Sequence, residues 1–143
     1  MSATLKGICA TMESKFRKFE EINIGDSDSF EVEVTPEMIV NFAKLSGDQN
    51  SLHIEHGVAH GMLLASLLSR FVGMYLPGRN SLYLSQTLNF KNPVRAGDVL
   101  RVEGKITATS ESTKVLTIQI SVSKSTGEIA LEGEAKVLYR ELN

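Results

Sequence analysis

The sequence predicts an α+β domain in which a strongly curved antiparallel sheet wraps around one apolar helix. Three observations predict it. The run from Met62 to Leu76 carries leucine, methionine, alanine and phenylalanine on every side, as expected of a helix buried nearly all round. Three long segments, Val99 to Thr109, Val115 to Ser123 and Ile129 to Tyr139, read as strands separated by tight turns, the pattern of an antiparallel sheet. The chain has 143 residues, enough for one domain with a real core. A flat sheet with both helices on one face would leave the apolar helix a solvent side it is not built for. A sheet that surrounds the helix removes the conflict.

The elements follow in order. Phe30, Val32 and Val34 alternate with Glu31 and Glu33, the period of a half-buried strand. Thr35-Pro36 is an N-cap followed by proline at the first helical position. Glu37 suits the positive end of that helix. Met38, Ile39, Phe42, Ala43 and Leu45 give it an apolar face, and Ser46-Gly47 ends it. Asp48 to Ala59 is polar and without period, so it reads as a loop. His60-Gly61 opens the apolar helix, which Gly73 and Pro77-Gly78 close. Leu82, Leu84, Leu88 and Phe90 keep an alternating pattern with Gln86 as its polar exception. Asn92-Pro93 breaks that strand, Ala96-Gly97-Asp98 supplies a turn, and Thr126-Gly127 joins the last two strands as a hairpin. One strand, an amphipathic helix, a polar loop, an apolar helix and about four long strands make the hot-dog arrangement.

Composition narrows the function. The formal net charge of -2 gives no global attraction to nucleic acid or an anionic membrane. The apolar run is too short to span a bilayer, which takes ~20 residues, and Arg70 interrupts it. Cys9 is the only cysteine, so no intrachain disulfide is possible. Residues 1–19 are expected to be a poorly ordered leader, faintly similar to an organelle transit peptide in its lysines and arginine. Residues 20–143 are expected to form the single domain. The expected compartment is the cytoplasm, or an organelle matrix if the leader is a targeting segment.

The polar loop is the chemical focus. Asp48 and His53 stand five residues apart after a helix end, where a loop can fold a carboxylate and an imidazole toward one water. The plain alternative is that Asp48 caps a turn and His53 is solvated. Gly61 begins the apolar helix, whose first amides have no intrahelical acceptor and carry the positive end of the dipole. A developing oxyanion is stabilised at such a place, although the same residues also serve an ordinary helix start. Together, a carboxylate, an imidazole and a helix N-terminus could activate water, deliver a proton and hold an oxyanion with no metal or cofactor.

The stretch Phe42-Ala43-Lys44-Leu45-Ser46-Gly47-Asp48-Gln49-Asn50-Ser51-Leu52-His53, followed by Ala59-His60-Gly61-Met62-Leu63, resembles the MaoC-type (R)-specific enoyl-CoA hydratases. Their motif reads F-A-x-x-S-G-D-x-N-P-x-H, then a segment ending A-H-G-M. The resemblance runs from about Glu20 to the C-terminus. It includes Leu82-Tyr83-Leu84-Ser85-Gln86, Phe90-Lys91-Asn92-Pro93-Val94 and Gly97-Asp98. It implies a hot-dog fold and the hydration of trans-2-enoyl thioesters to (R)-3-hydroxyacyl thioesters by syn addition, with dehydration as the reverse. Asp48 and His53 match the pair that activates water and handles the α-carbon proton. Gly61 matches the glycine whose amide polarises the thioester carbonyl. Asn50 matches a supporting asparagine and Ser69 a serine near the site. The resemblance also implies coenzyme A or acyl carrier protein as the substrate's carrier and no further cofactor or metal. It implies a homodimer, or a larger assembly, with an acyl tunnel near the interface. Met62, Leu63, Ser66, Leu84 and Phe90 are the tunnel candidates. Ser51 replaces the motif's proline. Between His53 and His60, where the family has a longer segment over the substrate entrance, this chain has only Ile54 to Ala59.

Three other readings remain at this stage. His53, His56 and His60, with Glu55 between them, could be zinc ligands of a metal-dependent hydrolase, or a crowding produced by the short loop. A hot-dog thioesterase would direct water at the carbonyl instead of the β-carbon. A non-catalytic subunit would bind acyl thioesters without turnover.

Overall fold

The computed structural model describes residues 12–141. Five strands form one sheet: β1 (Ser27–Glu33), β2 (Ser81–Phe90), β3 (Val99–Thr109), β4 (Val115–Lys124) and β5 (Ile129–Tyr139). Their spatial order is β1-β3-β4-β5-β2, and every pairing is antiparallel. Among the described residues a 3-10 turn (Phe19–Glu21) and three α-helices accompany them: α1 (Pro36–Ser46), the single-turn α2 (Ser51–Ile54) and α3 (Gly61–Met74). Register shifts in β2, in β3 and where the end of β4 meets the first residues of β5 add local twist and help the sheet curl around α3.

The sheet can close on α3 because one strand position has no side chain. A Cβ on Gly104 would lie 2.5 Å from the ring of Phe71. Phe71 and Leu68 are fully buried, packed with Leu100, Ile106, Ile118 and Val137 from three strands. Burial of each such side chain contributes roughly 1.5–3 kcal/mol, so this seam carries much of the stability. Among the described residues no helix is long and apolar enough to cross a membrane.

Four expectations change. α3 is not buried all round. Met62 is 56% exposed, and Ser66 and Ser69 are exposed on the same side. The sheet covers the rest of the helix and leaves this stripe open. β2 does not keep one alternation. The ladder runs Tyr83↔Val137 and then Ser85↔Lys136, so Leu84 is an extra residue that reverses the pattern. Leu82 and Leu84 are therefore exposed, while Tyr83 and Leu88 pack on the core. Gln86, opposite Ala135, accepts a 2.7 Å hydrogen bond from the Tyr83 hydroxyl. Burial pushes the Tyr83 hydroxyl up to about 12, so it stays protonated.

The polar loop contains α2, one turn capped by Asn50, whose side chain accepts from the Leu52 amide at 2.9 Å. The leader also ends earlier than residue 19. The Lys15 amide donates to the Met74 carbonyl at 3.0 Å, and the Lys15 carbonyl accepts from Arg79 at 2.9 Å. The Tyr139 hydroxyl donates to the Arg17 carbonyl at 2.8 Å, and Phe19 is buried against Tyr139. Residues 15–19 are thus docked, because their backbone groups find partners on the domain. Cys9, with the rest of residues 1–11, lies outside the described residues.

Candidate active site

The site forms where α1 stops. Gly47 takes a left-handed conformation, φ +81°, and its amide donates to the Ala43 carbonyl at 2.9 Å, a geometry that suits glycine. The Ser46 hydroxyl donates to Phe42 and accepts from the Asp48 amide at 3.1 Å. Asp48 Oδ1 in turn accepts from the Asn50 amide at 3.2 Å, an Asx-type turn. These short local bonds orient the Asp48 carboxylate, leaving Oδ2 free.

α2 carries His53 to meet it. His53 Nδ1 lies 2.7 Å from the Val58 carbonyl oxygen. A carbonyl only accepts, so Nδ1 carries the proton and Nε2 holds the lone pair of the neutral ring. That Nε2 is 3.5 Å from Asp48 Oδ2. Two acceptors therefore face each other across a space that a proton or a donating water can bridge. The His53 side chain is 12% exposed and Asp48 is 53% exposed, so water reaches the carboxylate while the imidazole is held.

The connection to α3 is short but fully tied. Gly57 donates to His53 and Val58 to Leu52, the Ala59 amide donates to Val94 at 2.8 Å, and Val58 forms a bridge with Arg95. The 95–98 turn that supports it is held by Asp98, which accepts from the Arg95 amide at 2.9 Å and sits 3.3 Å from Lys124. The Arg95 amide above all holds the Asp98 carboxyl below the usual carboxylate range; burial opposes it, and the hydrogen bond and charge of Lys124 add to the lowering.

Gly61 is the first residue of α3, so its amide precedes the i→i−4 ladder. It lines a hollow of about 320 Å³ together with Phe42, Ser46, Asp48, His53, His60 and Met62. A Cβ on Gly61 would meet the Phe90 ring at 3.1 Å, so Phe90 stands beside the hollow at the end of β2. The structure thus brings together Asp48, His53, Gly61, Met62 and Phe90. Asn50 stays behind them as a cap. Leu63 is buried in the core, Ser66 and Ser69 lie along the open stripe of α3, and Leu84 is on the edge strand. None of those four lines the hollow.

The zinc reading required His53, His56 and His60. The cluster that forms is Asp48, His53 and His60, with one donor atom from each within 4.8 Å of the others. The two imidazoles are stacked, centroids 3.7 Å apart and planes at 19°, so their lone pairs run side by side instead of meeting at one point. His53 Nδ1 and His60 Nε2 are both engaged by carbonyls. This arrangement does not suit a tetrahedral ion with ligands at ~2.0–2.1 Å.

In the sequence His60 stands at a helix start, within the A-H-G-M segment of the resemblance and among the candidate metal ligands. In the structure it is 3% exposed and its Nε2 lies 2.9 Å from the Asp48 carbonyl oxygen. The signals available for it were its place directly before Gly61 and its match to the A-H-G-M segment.

Comparison with known proteins follows the same outline. Residues 22–128 match the family described as MaoC like domain. The chain is 40% identical over 109 residues to an (R)-specific enoyl-CoA hydratase of Aeromonas caviae, covering 69% of this chain and 81% of that protein. It is 33% identical over 129 residues to a 3-hydroxybutyryl-CoA dehydratase of Methylorubrum extorquens, covering 83% and 82%. The solved structure of an A. caviae (R)-hydratase involved in PHA biosynthesis superposes with a TM-score of 0.79 at 35% identity, covering 83% of this chain and 98% of that one. The 109-position match uses 69% of this chain, about 99 of its 143 residues, so about ten positions have no counterpart here.

Proposed function

The chain belongs to the MaoC-like domain family, and from that premise we infer that it hydrates trans-2-enoyl thioesters to (R)-3-hydroxyacyl thioesters and catalyses the reverse dehydration. The observation that carries this is the Asp48–His53 pair, set 3.5 Å apart with two acceptor atoms facing a hollow that Gly61 also lines. A water seated there donates one hydrogen to the carboxylate and one to His53 Nε2, which exposes an oxygen lone pair to the β-carbon. As the C–O bond forms, electron density moves through the α-carbon to the thioester oxygen, where the Gly61 amide and the helix dipole receive it. The proton taken from water is returned to the α-carbon on the same face, which makes the addition syn. The Nδ1–H bond to Val58 keeps Nε2 as the working nitrogen throughout. The mechanism needs no redox group or Lewis acid.

Coenzyme A is the carrier in the names of the two relatives described above, two further relatives are named for acyl carrier protein, and both carriers present the same pantetheine arm. A homodimer completes the substrate channel. The stripe of Met62, Ser66 and Ser69 and the edge strand with Leu82 and Leu84 are open in the single chain, and a second copy would cover them.

The test follows enoyl absorbance with crotonyl-CoA, wild type beside Asp48→Asn, with chiral analysis of the product. Wild type is expected to give the (R)-alcohol and the variant to lose ~10²-fold or more in turnover, because a proton-transfer group is gone. Release of free thiol in place of hydration would transfer the protein to the thioesterases.

A further inference from the structure

We propose that His60 is a positioning residue for this reaction, holding the Asp48 main chain through its Nε2–H and fixing the plane of His53 through ring stacking. The inference rests on the hydratase reading of the pair it serves. His60 is 3% exposed and sits between Phe42, whose ring centroid is 4.9 Å away, and His53 at 3.7 Å. Its Nε2 lies 2.9 Å from the Asp48 carbonyl oxygen, so Nε2 carries a proton and donates it. Nδ1 is then a bare acceptor, buried and without a hydrogen-bond partner among the described residues.

That orphaned nitrogen is the telling feature. A buried polar atom left unpaired is costly, and a phenyl ring would fill the same slot between Phe42 and His53 without it. An imidazole is worth that cost only if its N–H does something a phenyl ring cannot. Its one bond goes to Asp48, the residue whose carboxylate must stay within reach of the water. Asp48 is otherwise held only by local bonds, its amide donating to the Ser46 hydroxyl and its carboxylate accepting from the Asn50 amide, and its side chain is half exposed. His60 therefore ties this exposed loop to the N-terminus of α3, the element that also presents the Gly61 amide. One buried ring sets three groups relative to each other: the carboxylate, the imidazole base and the oxyanion donor.

Three variants separate the contributions. His60→Ala removes bond and stack, His60→Phe keeps the stack, and His60→Gln keeps an N–H that can reach the Asp48 carbonyl. Thermal unfolding confirms that each is folded. His60→Ala is expected to lower kcat by ~10- to 100-fold, since small misplacements of a reacting group are that costly, with KM changed by less than about threefold. His60→Gln should recover part of the loss and His60→Phe a smaller part. Histidine ring-nitrogen NMR on the wild type should show His53 protonated at Nδ1 and His60 at Nε2. A folded His60→Ala with unchanged kcat, a loss confined to KM, or the opposite tautomer on His60 would each overturn the proposal. The spectrum is read whether or not the wild type turns over, so failure of the hydratase reading is distinguishable from failure of this one.

Discussion

The Gly61 amide can be tested without disturbing the helix it begins. Proline has no N–H but is well suited to the first position of a helix. The residue before a proline must be extended, and His60 already is, at φ -60° and ψ 141°. Gly61→Pro therefore deletes one hydrogen-bond donor from the N-terminus of α3 while the backbone stays in place. It also adds a side chain, and a Cβ there would come within 3.1 Å of the Phe90 ring. Gly61→Ala adds the same Cβ and keeps the amide, so it measures the crowding alone. Phe90 is 47% exposed and free to swing aside, so the alanine variant is expected to lose only a few-fold in turnover. Removing one oxyanion donor costs ~10²–10³ in kcat, about 2.7–4 kcal/mol. The expected gap between proline and alanine variants is of that size. Both are assayed with crotonyl-CoA under saturating conditions, with unfolding curves as controls. Equal turnover in the two folded variants would refute the assignment of the amide and move the oxyanion donor elsewhere.

The remaining predictions concern the base, a supporting turn and the core. His53→Ala should also lose ~10²-fold or more in turnover; near-normal rates would remove His53 from the mechanism. Asp98→Asn should weaken the 95–98 turn that carries the site loop. The folded carboxyl titrates below its usual range, so its contribution is present above about pH 4, the unfolded value, and is lost as pH falls through the folded one. Because the group is 32% exposed, solvent screening keeps the effect below about 1 kcal/mol. Urea midpoints of wild type and variant should differ at pH 7 and converge in acid; a constant difference would contradict the charge argument. Gly104→Ala would push a methyl into Phe71 and should destabilise by ~1–3 kcal/mol, visible as a lower unfolding midpoint. An unchanged midpoint would mean that α3 can move off the sheet freely.

Much of this molecule is legible in local sequence. Helix α1 is bounded by signals within a few residues of its ends, Thr35 accepting from the Met38 amide and Gly47 turning left-handed. β3 follows its alternating pattern through Ile106, and the hot-dog architecture follows from strand spacing around one apolar helix. Asp48, His53 and Gly61 were also findable, because a carboxylate, an imidazole and a helix start lie within fourteen positions.

Other features depend on contacts between distant residues, and the tertiary structure alone decided them. Whether Leu82 faces in or out depends on the extra residue at Leu84, and that bulge exists only in the pairing with β5. The open stripe on α3 is set by how far the sheet wraps, not by the helix's own composition. Residues 15–19 look like a loose leader until Met74, Arg79 and Tyr139 supply partners for their backbone. His60 reads as a helix-start residue until folding places its Nε2 on Asp48 and its ring on His53. Sequence by itself determined the periods, the caps and the chemical identity of the site. Only the folded chain decided which faces are covered and which atoms meet, because those depend on groups that the chain brings together from far apart.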